Sequence, residues 1–178
     1  MTEWMLEDAA KAHDFRYVAL RYFNVAGASS TGKIGQSTPR ATHLIKTAAE
    51  VVTNKREKMF IFGTDYSTKD GTCIRDYIHV DDLSQAHLDA LAYLDQGGKS
   101  EILNCGYGRG FTVKEVLDEV EKLIARKINV EMGPRREGDA EELISEALKI
   151  KTVLAWKPRY NDLSYIVKTA LDWEKKLG

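Results

Sequence analysis

The run Arg75-Asp76-Tyr77-Ile78-His79-Val80-Asp81-Asp82 gathers more polar functional groups than any other stretch of the sequence. A guanidinium beside a turn offers a planar fork of donors suited to a diphosphate, and a following aspartate could orient it or cap the next helix. A surface ion pair followed by a helix cap fits the same residues, and the run alone leaves both readings open. His79 lies in an apolar stretch and reads as a satisfied core residue, not a catalytic base. No cluster of histidine, cysteine or acid has the spacing of a metal site, so no metal is expected.

Arg135-Arg136-Glu137-Gly138-Asp139 follows Gly133-Pro134, which places two guanidinium groups on a loop after a strand. Loops at strand ends receive ligands in α/β proteins, and two separated arginines could clamp one pyrophosphate. A charged, solvated loop is the competing reading, and composition does not choose between them. Gly106-Tyr107-Gly108-Arg109-Gly110 has the strand-to-helix context of a dinucleotide-binding loop, but the pattern needs glycine where Phe111 stands. It reads as a structural turn.

The elements that must position these groups follow from periodicity. Trp4, Met5, Ala9 and Ala12 recur at helical spacing within Thr2 to His13. Tyr17 to Phe23 has the composition and length of a buried strand, and Ala28 to Arg40 is too rich in turn residues for a regular ladder. A helix is expected over Thr42 to Asn54, a strand over Met59 to Phe62 closed by Gly63, and a polar loop over Thr64 to Arg75. From Asp81 the apolar spacing is helical again, with Asp81 or Asp82 as cap and Gly97-Gly98 as stop. Glu101 to Cys105 reads as a strand, Thr112 to Glu115 as a capping box before a helix to Ala125, and Ile128 to Met132 as a strand. Helices over Ser145 to Leu154 and Leu163 to Lys176 flank the Lys157-Pro158 break. The order is that of an α/β fold.

With 178 residues, 43% hydrophobic and 30% charged, the chain is long enough to bury a core. Its net charge of -1 provides no basic field, so no nucleic-acid partner is expected. Two cysteines are too few for a disulfide scaffold, and no apolar run reaches the roughly 18 residues of a membrane span, so a cytoplasmic protein without a membrane partner is expected.

Taken together, an ordered series of segments resembles the UDP-galactose 4-epimerase family of extended short-chain dehydrogenase/reductases. The series is Leu20-Arg21-Tyr22-Phe23-Asn24 with Gly27, then Thr42-His43-Leu44-Ile45, then Ile61 to Tyr66 and Asp70 to Val80. It continues through Leu103 to Gly108, Arg135 to Asp139 and Leu154 to Pro158. Related dehydratases and decarboxylases share the Arg-Asp-Tyr core, but the lead-in from Asp65 to Thr72 is typical of 4-epimerases.

The resemblance implies that Asn24 contacts the diphosphate-sugar and that Arg75 and Arg136 grip the phosphates. It places His43, Leu44, Phe60 and Phe62 around the uracil, Asp139 near the ribose and Tyr22 beside the nicotinamide cofactor. Leu143 falls near the sugar ring, where side-chain bulk governs tolerance of N-acetylated sugars. Lys46 stands where the family usually has proline, which bears on the path of the uracil-side helix.

The family moves a hydride from C4 of the sugar to NAD and returns it to the other face of a rotated 4-keto intermediate, a step of galactose metabolism. Its N-terminal Rossmann half carries the glycine-rich loop, a catalytic Ser or Thr and a Tyr-x-x-x-Lys pair, none of which occurs in these residues. By resemblance Met1 falls just after the expected lysine. A truncated Rossmann-like fold is therefore expected, with residues 1–28 as a remnant helix and strand. Residues 29–178 would form the UDP-sugar-binding region, some segments packing back on the remnant. No catalytic residue is assigned, and NAD belongs to the complete enzyme, not to this stretch. The chain is expected to bind UDP-glucose or UDP-galactose, to be inactive alone, and to associate with itself or with an N-terminal half. A non-catalytic UDP-sugar-binding or oligomerisation module is the alternative.

Overall fold

In the computed structural model, which describes residues 1–178, the first helix α1 spans Thr2–His13 and buries none of its side chains. It ends at Asp14, whose φ of 49° takes the left-handed conformation that stops a helix. Its tie to the body is a two-pronged ion pair in which Arg21 donates to Glu3 at 2.6 and 2.5 Å.

The strand expected over Tyr17 to Phe23 is β1 (Val18–Tyr22), one residue shorter at each end, and a further short strand, β2 (Asn24–Ala26), follows it with a different partner. The polar stretch after β2 is irregular, as its turn residues require, up to α2 (Leu44–Val52) and then β3 (Met59–Phe62). Gly27 opens that stretch at φ 82°, where a Cβ would come within 2.6 Å of the His79 ring.

The loop expected through Arg75 ends earlier, because β4 (Ile74–His79) already includes it. α3 (Val80–Asp95) follows without a break. Its cap is neither Asp81 nor Asp82: the His79 ring accepts the Asp81 amide proton at 3.1 Å. The Asp81 carboxylate instead accepts from the Ser30 amide, and Asp82 is buried elsewhere in the core. β5 (Glu101–Cys105) and the three-residue β6 (Gly110–Thr112) lead into α4 (Val113–Ile124). Here the capping box is complete: the Thr112 hydroxyl accepts from the Glu115 amide at 3.1 Å, and the Glu115 carboxylate accepts from the Thr112 amide at 2.8 Å. β7 (Val130–Gly133), the two-residue β8 (Glu142–Leu143), the short α5 (Leu148–Val153) and α6 (Leu163–Lys176) complete the chain. The helix expected from Ser145 starts three residues later because the Ser145 amide is drawn to Asp76.

β1 pairs with β5, β2 with β4, and β3 with β7, all in parallel. β4 is the junction, since it also takes β6 antiparallel near Arg75 and β8 parallel, with Arg75 opposite Leu143. α6 packs on both α2 and α4, closing a core that includes Ile78, Leu103, Val116, Val120, Ile150, Trp156 and Val167. Full burial of each aliphatic side chain contributes about 1.5 to 3 kcal/mol. Lys46 leaves α2 regular: its ammonium turns inward onto the buried carboxylate of Glu174 in α6. No helix is long and apolar enough to cross a membrane.

Candidate functional site

β3 alternates. Met59 and Ile61 are buried, and Phe60 and Phe62 share the other face with ring centroids 6.0 Å apart. The start of α2 brings His43, Leu44 and Thr47 against this face, β4 brings Arg75 and Tyr77, and the segment after β7 crosses over with Arg136 and Asp139. Together with Asn24 they enclose a cavity of about 510 Å³.

Of the residues singled out in the sequence, Asn24, His43, Leu44, Phe60, Phe62, Arg75, Arg136 and Asp139 all line this one cavity. Leu143 does not line it; it lies half-exposed on β8, paired with Arg75 across the strands. Tyr22 does not line it either and ends β1 with an exposed ring. Arg75 lies in a strand, not beside a turn, and the carboxylate that orients it is Asp139. Its other terminal nitrogen donates to the Ile74 carbonyl at 2.7 Å. Asp76 cannot serve Arg75, because consecutive strand residues face opposite sides.

The two arginines of the loop separate. Arg136 makes no ion pair, and its guanidinium carbon lies 3.9 Å from the Phe62 ring centroid. Arg135 leaves the cavity, donates to Asp65 at 2.7 Å and covers the Tyr66 ring at 4.1 Å. A third cavity arginine, Arg56, is held by Glu50 at 3.0 and 3.1 Å. Nothing in the sequence marked it, because it sits in a charged turn with its partner six residues away. Cys73 also lines the cavity as a neutral thiol, since burial raises it above the usual range against the pull of Arg75.

Behind the cavity wall the glycine turn is structural. The amides of Tyr107 and Gly108 donate to the Asp76 carboxylate at 3.1 and 2.9 Å, and the Ser145 amide joins them at 3.2 Å. A Cβ at Gly106 would sit 2.7 Å from the same carboxylate, so glycine serves that close approach. These amides are already used, and the turn does not fit a dinucleotide phosphate. Deeper still, the Tyr107 hydroxyl donates to Asp82 at 2.5 Å, and burial together with that bond pushes it far above the ordinary phenol range. Asp82 also accepts from the amides of Arg159 and Tyr160 at 2.8 and 2.9 Å. His79 is fully buried, its ring tilted against those of Tyr160 and Tyr165, and burial lowers its imidazole below the usual value despite the nearby Asp81 and Asp82. It is a core residue with both nitrogens engaged.

Residues 1–106 match the NAD dependent epimerase/dehydratase family. The chain is 51% identical to the UDP-glucose 4-epimerase of Azospirillum brasilense, an alignment that covers 99% of this chain and 51% of that protein. It superposes with a TM-score of 0.80 and 54% identity on the UDP-Glc/GlcNAc 4-epimerase of Campylobacter jejuni, covering 99% of this chain and 54% of that one. A UDP-glucose 4-epimerase from Bifidobacterium longum, solved in complex with NAD+ and UDP, gives a TM-score of 0.89 at 32% identity, with 98% and 52% covered. The chain spans about half the length of the relatives it matches. Its parallel strand pairs and flanking helices are thus one part of a larger Rossmann-like fold, as the sequence led one to expect. On the extent of these matches, the chain belongs to the NAD dependent epimerase/dehydratase family.

Proposed function

We propose that the chain forms the UDP-sugar-binding half of a UDP-glucose/UDP-galactose 4-epimerase, an enzyme of galactose metabolism. One observation carries the reading: Arg75 from β4 and Arg136 from the segment after β7 line the same cavity, beside an aromatic wall of Phe60 and Phe62. Two guanidinium groups suit a diphosphate, and a ring face suits a planar base. Asn24, whose side-chain amide donates to the Asp76 carbonyl at 3.3 Å, lines the same cavity together with His43 and Leu44. We assign Leu143, opposite Arg75 in the β4–β8 pairing, to the sugar side, and Tyr22 to the nicotinamide of the complete enzyme.

The names of the relatives supply the reaction and the cofactor. NAD belongs to the complete enzyme. These residues carry no free glycine-rich turn and no Tyr-x-x-x-Lys pair, so by themselves they bind the nucleotide-sugar and do not turn it over. A second reading, a non-catalytic UDP-sugar-binding or oligomerisation module, draws on α1, which exposes Trp4 and Met5 without a covering partner. In either case we expect association, with a second copy or with a polypeptide carrying the other half of the fold. Both cysteines are free, in keeping with a cytoplasmic setting.

Mixing the chain with the N-terminal half of a full-length relative and supplying NAD and UDP-galactose separates the two. Turnover from the assembled pair, absent from either part, supports the epimerase reading. An assembled pair that binds UDP-galactose without converting it supports the module.

A further inference from the structure

Asp139 is the one acidic residue lining the cavity, and its carboxylate rests on Arg75, the innermost guanidinium. The side chain of Arg75 is 12% exposed and that of Asp139 is 29% exposed, so this pair is shielded from solvent more than the surface ion pairs are. The same segment that delivers Asp139 also lays Arg136 on the Phe62 ring. One stretch of chain, residues 134–141, thus seats an anion on one cavity guanidinium and lays the other guanidinium on the aromatic wall. Just before Asp139, Gly138 takes φ 74° with no atom within 4 Å of a built Cβ, and the Asp139 amide bonds only locally, to the Arg136 carbonyl at 3.2 Å. The carboxylate can therefore leave Arg75 without disturbing the core.

Resting on the nucleotide reading above, we propose that Asp139 is an internal counter-anion, which a ligand phosphate must displace from Arg75 and which makes the cavity prefer a nucleoside diphosphate to a bare inorganic anion. An incoming phosphate meets a like charge already seated on its partner. A ligand with hydroxyl groups beside its diphosphate can donate to the displaced carboxylate and restore the bond it lost. Inorganic diphosphate has no such donor and bears the repulsion in full, so selectivity arises from an obstacle to the wrong ligand as well as from contacts to the right one.

The test is titration of the full chain with inorganic diphosphate and with UDP, in magnesium-free buffer at fixed ionic strength. Wild type is compared with Asp139→Asn and Asp139→Ser, each variant checked by circular dichroism melting. Either variant that folds is expected to bind inorganic diphosphate about tenfold more tightly than wild type, while its preference for UDP over inorganic diphosphate narrows by at least that factor. Wild type that binds UDP, with variants showing no gain for inorganic diphosphate, would overturn the counter-anion role and leave the nucleotide reading intact. Variants that gain inorganic diphosphate binding while no form binds UDP would show that Asp139 opposes anions but would sink the nucleotide reading and, with it, the preference proposed here. Absence of binding for both ligands in every form would remove both.

Discussion

Arg75 and Asp76 are neighbours on β4 whose side chains leave the strand in opposite directions. Arg75 faces the cavity, and the fully buried Asp76 draws in the amides of Tyr107, Gly108 and Ser145. The loop before β6 and the chain leading to α5 are thus anchored directly behind the guanidinium. Replacing Asp76 with alanine leaves three amide donors without an acceptor, two of them buried, so the chain should lose about 3 to 5 kcal/mol of stability. Urea denaturation measures it, and a loss below about 1 kcal/mol would show that water replaces the carboxylate.

Lys46 and Glu174 are 8% and 1% exposed, and Lys55 reaches the same carboxylate at 2.9 Å. Glu174→Gln leaves the buried Lys46 ammonium with only the Glu50 carboxylate at 3.6 Å and should cost about 1.5 to 3 kcal/mol, whereas Lys46→Met with Glu174→Leu, which removes both buried charges, should cost less. Melting temperatures of the single and double variants decide it.

The same carboxylate governs behaviour in acid. Burial alone would raise Glu174, but the hydrogen bonds and charges of Lys46 and Lys55 outweigh it and hold the group below the ordinary carboxylate range. A folded value below the unfolded one means that this contribution is present above about pH 4.5 and is lost as the pH falls through the depressed value. Melting curves between pH 7 and 3 should show wild type losing more stability than Glu174→Gln over the acid part of the range. Parallel curves would remove Glu174 as a source of acid sensitivity.

Phe62→Leu keeps an apolar wall but removes the ring that faces Arg136 at 3.9 Å. If a base stacks there, UDP affinity should fall about fivefold, matching about 1 kcal/mol of stacking, while inorganic diphosphate is little affected. An equal change for both ligands would place the base elsewhere.

Trp4 and Met5 are 73% and 65% exposed on a helix that buries nothing. Sedimentation velocity should find concentration-dependent association that Trp4→Glu diminishes. Identical profiles for the two would take α1 out of any interface.

Long periodic elements were legible in the sequence. α1, α6 and β3 have the bounds that spacing implies; Asp162 caps α6 and Gly63 closes β3. β2, β6 and β8 were not, since two or three residues carry no period and exist only through pairing with β4. The helix cap at His79 was missed because an imidazole acceptor competes with two nearby aspartates whose own partners, Ser30 and Tyr107, lie far along the chain. At the site, residue types and the family resemblance named eight of the 17 residues that line the cavity. What they could not supply was the Asp139 carboxylate on Arg75 or the Asp76 anchor, both of which depend on strand facing and on loops brought together by the fold.

Isothermal titration of the chain with UDP, for wild type, Arg75→Ala and Arg136→Ala, bears most directly on whether two guanidinium groups form one diphosphate site. A charge-assisted phosphate contact contributes about 1.5 to 3 kcal/mol, so each substitution should weaken binding roughly tenfold or more. Wild-type affinity retained in both variants would contradict the shared site and, with it, the nucleotide-sugar function.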